Sequence, residues 1–400
     1  MLGQNYFENR LGDLYQYSRI PYKCGEGQVN SKEYDWELCV DLGGSSIIKL
    51  SSHDHLQDLN DLSKIEHFSG ISDDGIWNIS CTNIHILATE VEVSQKLALF
   101  CLPGSIVLKY KDKLASPPTL AKAYFSNFDF FRVDCERGFL VEINSKQLCF
   151  QMLENSKRLI ELINIGRIAN AILSQVSIPI DQDENIQEIE EEARSISWFL
   201  SLLNVDSSFI PIIEYFSGEK IIQYSIENTV KNNLNRSYII DNVRIDEGIP
   251  KAFIDCYGNY KDWQAKIDIN TLIGFLAEIN QQKYIDLKLA AMLMAYEYFL
   301  TKYLISQNSL RQDQVSNSIQ DKLKSINCHL RFIPSQMMDD TLRGSIRNPL
   351  FHQGEISLMN LNDKIDVFKR YYNLLIRIVL RVLNYTGKYM SVETHSPVDP

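Results

Sequence analysis

A change of hydrophobic period divides this chain and restricts what it can fold into. Up to about residue 150, apolar and polar residues alternate in short runs: WELCVDL, SSIIKLSS, IWNISCTNIHILATEV, LALFCLPGSIVLKYK, FFRVDCERGFLVEIN and QLCFQML. Gly, Asp, Asn and Pro clusters separate them, so each run is predicted to be a strand with one buried face. From about residue 246 the apolar positions recur every three or four residues over stretches too long for strands. A chain of 400 residues, 45% hydrophobic, has material for more than one core. The expectation is an α+β multidomain protein: a mostly β accessory or sensor domain over 1–150, a small α/β connector over 151–245 and an all-α bundle over 246–390. The last residues, 391–400, are expected to be a disordered tail.

Between the halves the signals are mixed. Leu159, Leu162, Ile163, Ile168, Ala169 and Ile172 predict an amphipathic helix from Glu154 to Gln175, broken by Ile178-Pro179-Ile180. Seven acids, Asp181, Asp183, Glu184, Glu188, Glu190, Glu191 and Glu192, then precede Arg194. Such a run reads first as a solvated linker and helix start; a sharper alternative is that it imitates RNA and covers a basic face. RSISWFLSLL reads as a helix, with Trp198 in its core face, and FIPIIEYFSGEKIIQYSI as a hairpin turning at Ser217-Gly218.

The helical half is predicted to hold helices over Pro250–Tyr260, Ile269–Asn280, Tyr284–Ile305, within Asp313–Arg347, and over Leu361–Tyr385. In Lys283–Ile305 the apolar stripe Leu289, Ala290, Leu293, Leu300 and Leu304 also carries Glu297. A carboxylate there must either find a cation, for which Arg347 is the candidate, or reach water at the stripe's edge. On the final helix Lys369, Arg370, Arg377 and Arg381 lie outside or at the edge of the apolar stripe. They are candidate contacts for an RNA backbone, beside the plainer role of keeping the surface soluble.

Several other patterns limit the function. The net charge of −11 argues against nucleic acid binding over the whole surface, although basic residues outnumber acidic ones from 301 to 390. Asp41-Leu42-Gly43-Gly44-Ser45 superficially resembles a sugar-kinase phosphate loop, but no later motif completes one, and a Gly-Gly hairpin turn is the better reading. His53-Asp54-His55, with Asp58, Asp61 or His67, has metal-ligand chemistry without a spacing that fixes a site, so no metal is expected. The eight cysteines form no C-x-x-C pair and read as free thiols of a cytoplasmic protein; no apolar run reaches the length of a membrane span.

The chemistry concentrates at Arg347-Asn348-Pro349-Leu350-Phe351-His352. Histidine moves protons near neutral pH and an arginine fork holds a phosphate, a combination suited to phosphodiester cleavage. On an unbroken helix residues five apart point about 140° away from each other. Pro349 is expected to end the preceding helix near Arg347 and to leave His352 on a turn or a new helical start, able to approach Arg347.

At these residues the chain resembles the HEPN ribonuclease superfamily, whose signature is an arginine, a polar residue after it and a histidine four to six residues past the arginine. GIPKAFIDCYGNY and INTLIGFLAEINQQ resemble the start of Apea-type HEPN domains, so the resemblance covers about 246 to 388. It implies a metal-independent endoribonuclease without cofactor, possessing His352 as general acid or base, Arg347 on the phosphoryl oxygens, Asn348 orienting and Glu297 holding Arg347. It implies a homodimer through the helical domain, with RNA as partner, and a role as a toxin or in antiviral defence, where the β domain senses a trigger or inhibitor. Two alternatives stay open: a non-catalytic HEPN-like module that binds RNA or nucleotide or only dimerises, and a helix cap in which Arg347 and His352 bond carbonyl groups.

Overall fold

The first strands, β1 (Lys23–Val29), β2 (Lys32–Val40) and β3 (Ser46–His55), form a meander whose second turn is set by Asp41. In this computed structural model Asp41 Oδ1 accepts the backbone N–H groups of Gly43 and Ser45, both at 2.9 Å, and Gly44 takes φ 86°. That conformation suits glycine, and it pairs Val40 with Ser46. The Gly-Gly hairpin expected from the sequence is present. The structure describes residues 23–55, 65–91, 96–111, 116–126, 128, 138–143, 145–168, 170–205, 208–228, 238–240, 244–245, 248–309, 318–339, 341–356 and 359–400.

The strands β4 (Ile65–Ser72), β5 (Trp77–Val91) and β6 (Lys96–Tyr110) continue the sheet in the order β3-β2-β1-β4-β5-β6. Antiparallel pairing of β3 with β6, Ile48 opposite Cys101 and Leu50 opposite Leu99, closes these six into a barrel. Its interior is filled by alternate residues, among them Trp36, Leu38, Ile48, Leu50, Phe68, Cys81, Leu99, Ile106 and Leu108. Gly27 makes room for one of them: a Cβ there would stand 2.4 Å from the Phe68 ring.

One strand serves two neighbours. The first part of β6 pairs with β3 as far as Cys101, and Ser105 to Lys109 pair with β12 (Lys220–Glu227). Pro103 stands between the two pairings and has no N–H to give. The Asn228 side chain fills the gap as a substitute peptide group: Oδ1 accepts Ser46 N–H at 2.6 Å, and Nδ2 donates to the carbonyls of Ser46 (3.1 Å) and Pro103.

The sheet then runs through β12, β11 (Phe209–Ser217), β7 (Leu120–Ser126), β10 (Ile172–Pro179), β9 (Lys146–Met152) and β8 (Gly138–Ile143), twelve strands in all. The hairpin at Ser217-Gly218 is as expected, but it is inserted between β6 and β7 rather than standing in a separate connector. An isolated hairpin exposes two unpaired edges, and here both are paired. The predicted helix over Glu154–Gln175 is shorter: α1 (Ser156–Asn164) stops where Gly166 turns to φ 72°, and Ile172–Gln175 join β10. A continuous buried run is a central-strand signature that helical periodicity also fits. The acidic run opens α2 (Ile186–Asn204) with a capping box, in which Asn185 and Glu188 each accept the other's backbone N–H.

The described residues fall into two units, one within 1–140, 145–194 and 209–234, the other within 141–144, 195–208 and 235–400. The second unit is helical: α3 (Gly248–Ile267), α4 (Ile269–Gln281), α5 (Ile285–Ser306), α6 (Ile319–Leu330), a π-helical turn (Thr341–Arg347), α7 (Asn348–Gln353) and α8 (Leu361–Val382). Phe199, in the later part of α2, packs its ring 4.8 Å from Phe253 and 5.3 Å from Tyr257 and Tyr260. Tyr296 in α5 donates to the Tyr371 carbonyl of α8 at 2.6 Å, fixing these two long helices together.

The tail expected to be disordered is folded. β13 (Tyr389–Met390) pairs with β14 (Pro397–Val398), and Met390 N–H donates to Ile239 O at 2.7 Å. Buried Asn373 accepts from Tyr389 Oη (3.0 Å) and Val392 N–H (3.3 Å), so its anchors are polar and invisible to a hydrophobic pattern. Among the described residues the seven cysteines are free, and no helix is long and apolar enough to cross a membrane. Cys135, Asp58 and Asp61 lie outside the described residues, as do the side chains of His53, Asp54 and His55; among the described residues no cluster with metal-ligand geometry occurs.

Candidate functional site

The site is assembled from α5, α6, the π-helical turn and α7. α5 lacks Gly and Pro and buries Leu289, Leu293, Tyr296, Leu300 and Leu304, which leaves Glu297 and Met294 on its remaining face. Glu297 Oε1 accepts a hydrogen bond from Arg347 Nε at 2.7 Å. The side chains are 42% and 39% exposed, so the carboxylate finds its cation and also reaches water. Both readings of Glu297 therefore hold together. Exposure limits the pair to about 1 kcal/mol or less, and its value is geometric: it holds a guanidinium by one edge.

At Pro349 the helix changes its winding without a gap. Arg347 keeps helical angles (φ −60°, ψ −50°), and α7 starts directly after the π-helical turn, with Pro349 in its first turn. A proline is tolerated there because its missing N–H would have no partner, and the wider winding ahead relieves the clash with the carbonyl four residues back. The helix ahead thus ends at Arg347, as expected, and of the two places expected for His352 the structure shows the new helical start, not a turn. His352 is exposed, five residues past Arg347. Among the described residues neither His352 nor Asn348 makes a side-chain hydrogen bond, which also removes the carbonyl-capping role for His352. Phe351, 53% exposed, instead lies one turn from Arg347, its ring centre 5.7 Å from the guanidinium carbon.

The four bases of α8 have separate surroundings. Arg377 and Arg381 flank the Phe332 ring at 5.0 and 5.7 Å, and Arg381 Nε donates to Pro400 O at 2.8 Å. Both thus cover Phe332, and Arg381 also ties down Pro400. Lys369 and Arg370 line a surface cavity of about 540 Å³ with Asp363, Asp366, Val367 and Glu393. Three carboxylates beside two bases make a weak seat for a phosphate.

The sequence reading missed Lys322. It lies on α6 between Ile319 and Ile326, on the buried stripe, and is 4% exposed. Burial pushes its ammonium below the ordinary lysine pKa; Glu297 pulls it back up and Arg347 pushes it down. A lysine three residues after one core isoleucine and four before another was the available signal.

No family model, curated protein or solved structure matches this chain.

Proposed function

We propose that the helical unit is a metal-independent endoribonuclease that works as a homodimer. His352 takes the proton of an RNA 2′-hydroxyl as its oxygen bonds to phosphorus, the bond to the 5′ oxygen breaks, and the imidazolium returns the proton to that oxygen, which leaves as a hydroxyl. The products are a 2′,3′-cyclic phosphate and a free 5′-hydroxyl. Arg347 carries the charge on the phosphoryl oxygens, Asn348 orients the phosphate and Glu297 holds Arg347.

The Glu297–Arg347 bond carries this reading. It occupies Nε and leaves the two terminal guanidinium nitrogens without a hydrogen-bond partner among the described residues, the fork a phosphate needs. Residues five apart on a helix point about 140° away from each other, so this reading takes Arg347 from one copy and His352 from another. Leu287 and Met294, 51% and 43% exposed, share with Glu297 one face of α5 and supply apolar surface for that contact. A place in antiviral defence or as a toxin, in the cytoplasm, with the β unit sensing a trigger or inhibitor, belongs to the same proposal.

The same divergence favours a second reading, a non-catalytic module that binds RNA through Arg347 or only dimerises. Incubating the full chain and His352→Ala with labelled RNA in excess chelator separates the two. Cleavage to cyclic phosphate ends that is lost in the variant supports the nuclease; RNA bound and left intact supports the binder.

A further inference from the structure

The β unit carries lysines on aromatic rings where one face of its sheet meets water. Lys23 Nζ lies 5.5 Å from the centre of the Trp77 ring, Lys220 Nζ 3.5 Å from that of Tyr110, and Lys122 Nζ 4.9 Å from that of Phe216. Trp77 and Tyr110 meet edge to face at 5.7 Å, which joins the first two pairs. Strand register puts the third on the same face. Trp77 stands opposite Tyr110, and in the next row Ile79, Leu108, Tyr224, Glu214 and Lys122 are successive cross-strand partners. Trp77 touches that row at Tyr224, with 5.4 Å between ring centres. The row is buried from Ile79 to Glu214, and the band beside it reaches water: Lys220 is exposed, and Lys23, Trp77, Tyr110, Phe216 and Lys122 are half-buried.

The cations of this band outnumber their counter-ions. Lys23 pairs with Asp74 at 3.4 Å, whereas Lys122 and Lys220 have no carboxylate within 4.0 Å among the described residues. Glu214, opposite Lys122, is 4% exposed and accepts the Tyr124 hydroxyl at 2.5 Å. In a chain of net charge −11, two ammoniums that rest on rings rather than on acids are a local exception. A ring holds an exposed ammonium weakly and a phosphate holds it more strongly, so each lysine can pass to a phosphate and yield its ring to a base.

We propose that this band binds single-stranded RNA, with bases stacked on Trp77 and Tyr110 and phosphates on Lys122 and Lys220. The aromatic residues and these two lysines lie on five neighbouring strands, β5, β6, β12, β11 and β7, a width of about 19 Å at the usual strand spacing, which suits a short run of nucleotides. Paired bases offer no free faces to stack, so a duplex engages the lysines alone. The band rests on the ribonuclease reading for the choice of RNA as the polyanion, and it makes the β unit a second RNA contact of the same chain.

The test measures binding of the full chain to a 2′-O-methyl oligoribonucleotide of about twelve nucleotides, which has no 2′-hydroxyl to attack, over a range of salt. The same sequence as a duplex and a poly-glutamate peptide are the comparators. Lys122→Gln with Lys220→Gln is expected to weaken binding about tenfold at physiological salt and to flatten the slope of log K against log salt by about 1.4, the share of two phosphates. Tyr110→Leu is expected to weaken it at least about fivefold and to leave the slope unchanged. Equal affinity and slope in the folded variants and the wild type would overturn the band. So would equal binding of the duplex, poly-glutamate bound in place of the oligonucleotide, or no binding by folded wild type. If Tyr110→Leu does not fold, the slope of the lysine variant decides. Arg347→Ala, inactive under the ribonuclease reading, should keep the binding that depends on the two lysines. An oligonucleotide bound through the band by a chain that cuts no RNA would keep the band and remove the ribonuclease; RNA cut and bound equally well by the band variants would do the reverse.

Discussion

Arg347 Nε and Glu297 Oε1 lie 2.7 Å apart although fifty positions separate them in the chain. The bond uses one edge of the guanidinium and exposes the rest, so Glu297 acts on any ligand through Arg347. Glu297→Gln should lower turnover while leaving stability within about 1 kcal/mol of wild type, since both partners are more than one third exposed. Parallel urea titrations and cleavage rates test this; equal small losses in both would make the pair merely structural.

His352 is exposed and makes no side-chain bond among the described residues. His352→Ala should therefore change stability by no more than about 0.5 kcal/mol, whatever it does to cleavage. A melting temperature far below wild type would show that the histidine supports the fold.

Asn228 joins β3 and β6 at the point where β12 takes over from β3. Asn228→Ala leaves a peptide N–H and two carbonyl groups without this partner and should cost about 2–3 kcal/mol in urea unfolding followed by the fluorescence of buried Trp36. No change would mean that water replaces the amide without loss.

Those neighbours mark how far the sequence could be read. Gly43-Gly44 and Ser217-Gly218 were legible because a turn is decided by a few adjacent residues, and α4 because Asp268 and Gln282 bound an unbroken apolar pattern. Closure of the barrel was not legible: pairing of Ile48 with Cys101 depends on residues far apart, and alternation is the same in an open sheet. At the site, the partnership of Glu297 and Arg347 followed from the cost of a charge on an apolar stripe. The same principle applies to Lys322, whose place between Ile319 and Ile326 carries the same signal. Pro349 marked the change of helix at Arg347, whereas the π winding ahead of it has no signature in the sequence.

Tyrosines set the alkaline limit. Burial pushes Tyr224, with Glu214 adding to it, and Tyr389 up to about 12, so the folded state keeps protons that an unfolded chain releases near 10. Their contribution is complete below pH 10 and is lost as pH rises through about 12. Unfolding monitored by tyrosinate absorbance should be cooperative in that interval. Smooth titration from pH 10 with the fold intact would show that these hydroxyls reach solvent.

The central claim is that Arg347 and His352 act on one phosphodiester from two copies of the chain, and complementation tests it most directly. Arg347→Ala and His352→Ala are each expected to be inactive on RNA. Mixed under conditions that allow subunits to exchange, they should recover roughly a quarter of the wild-type rate, because half of random dimers are mixed and each has one complete site. An active wild type with no recovery in the exchanged mixture would contradict the shared site.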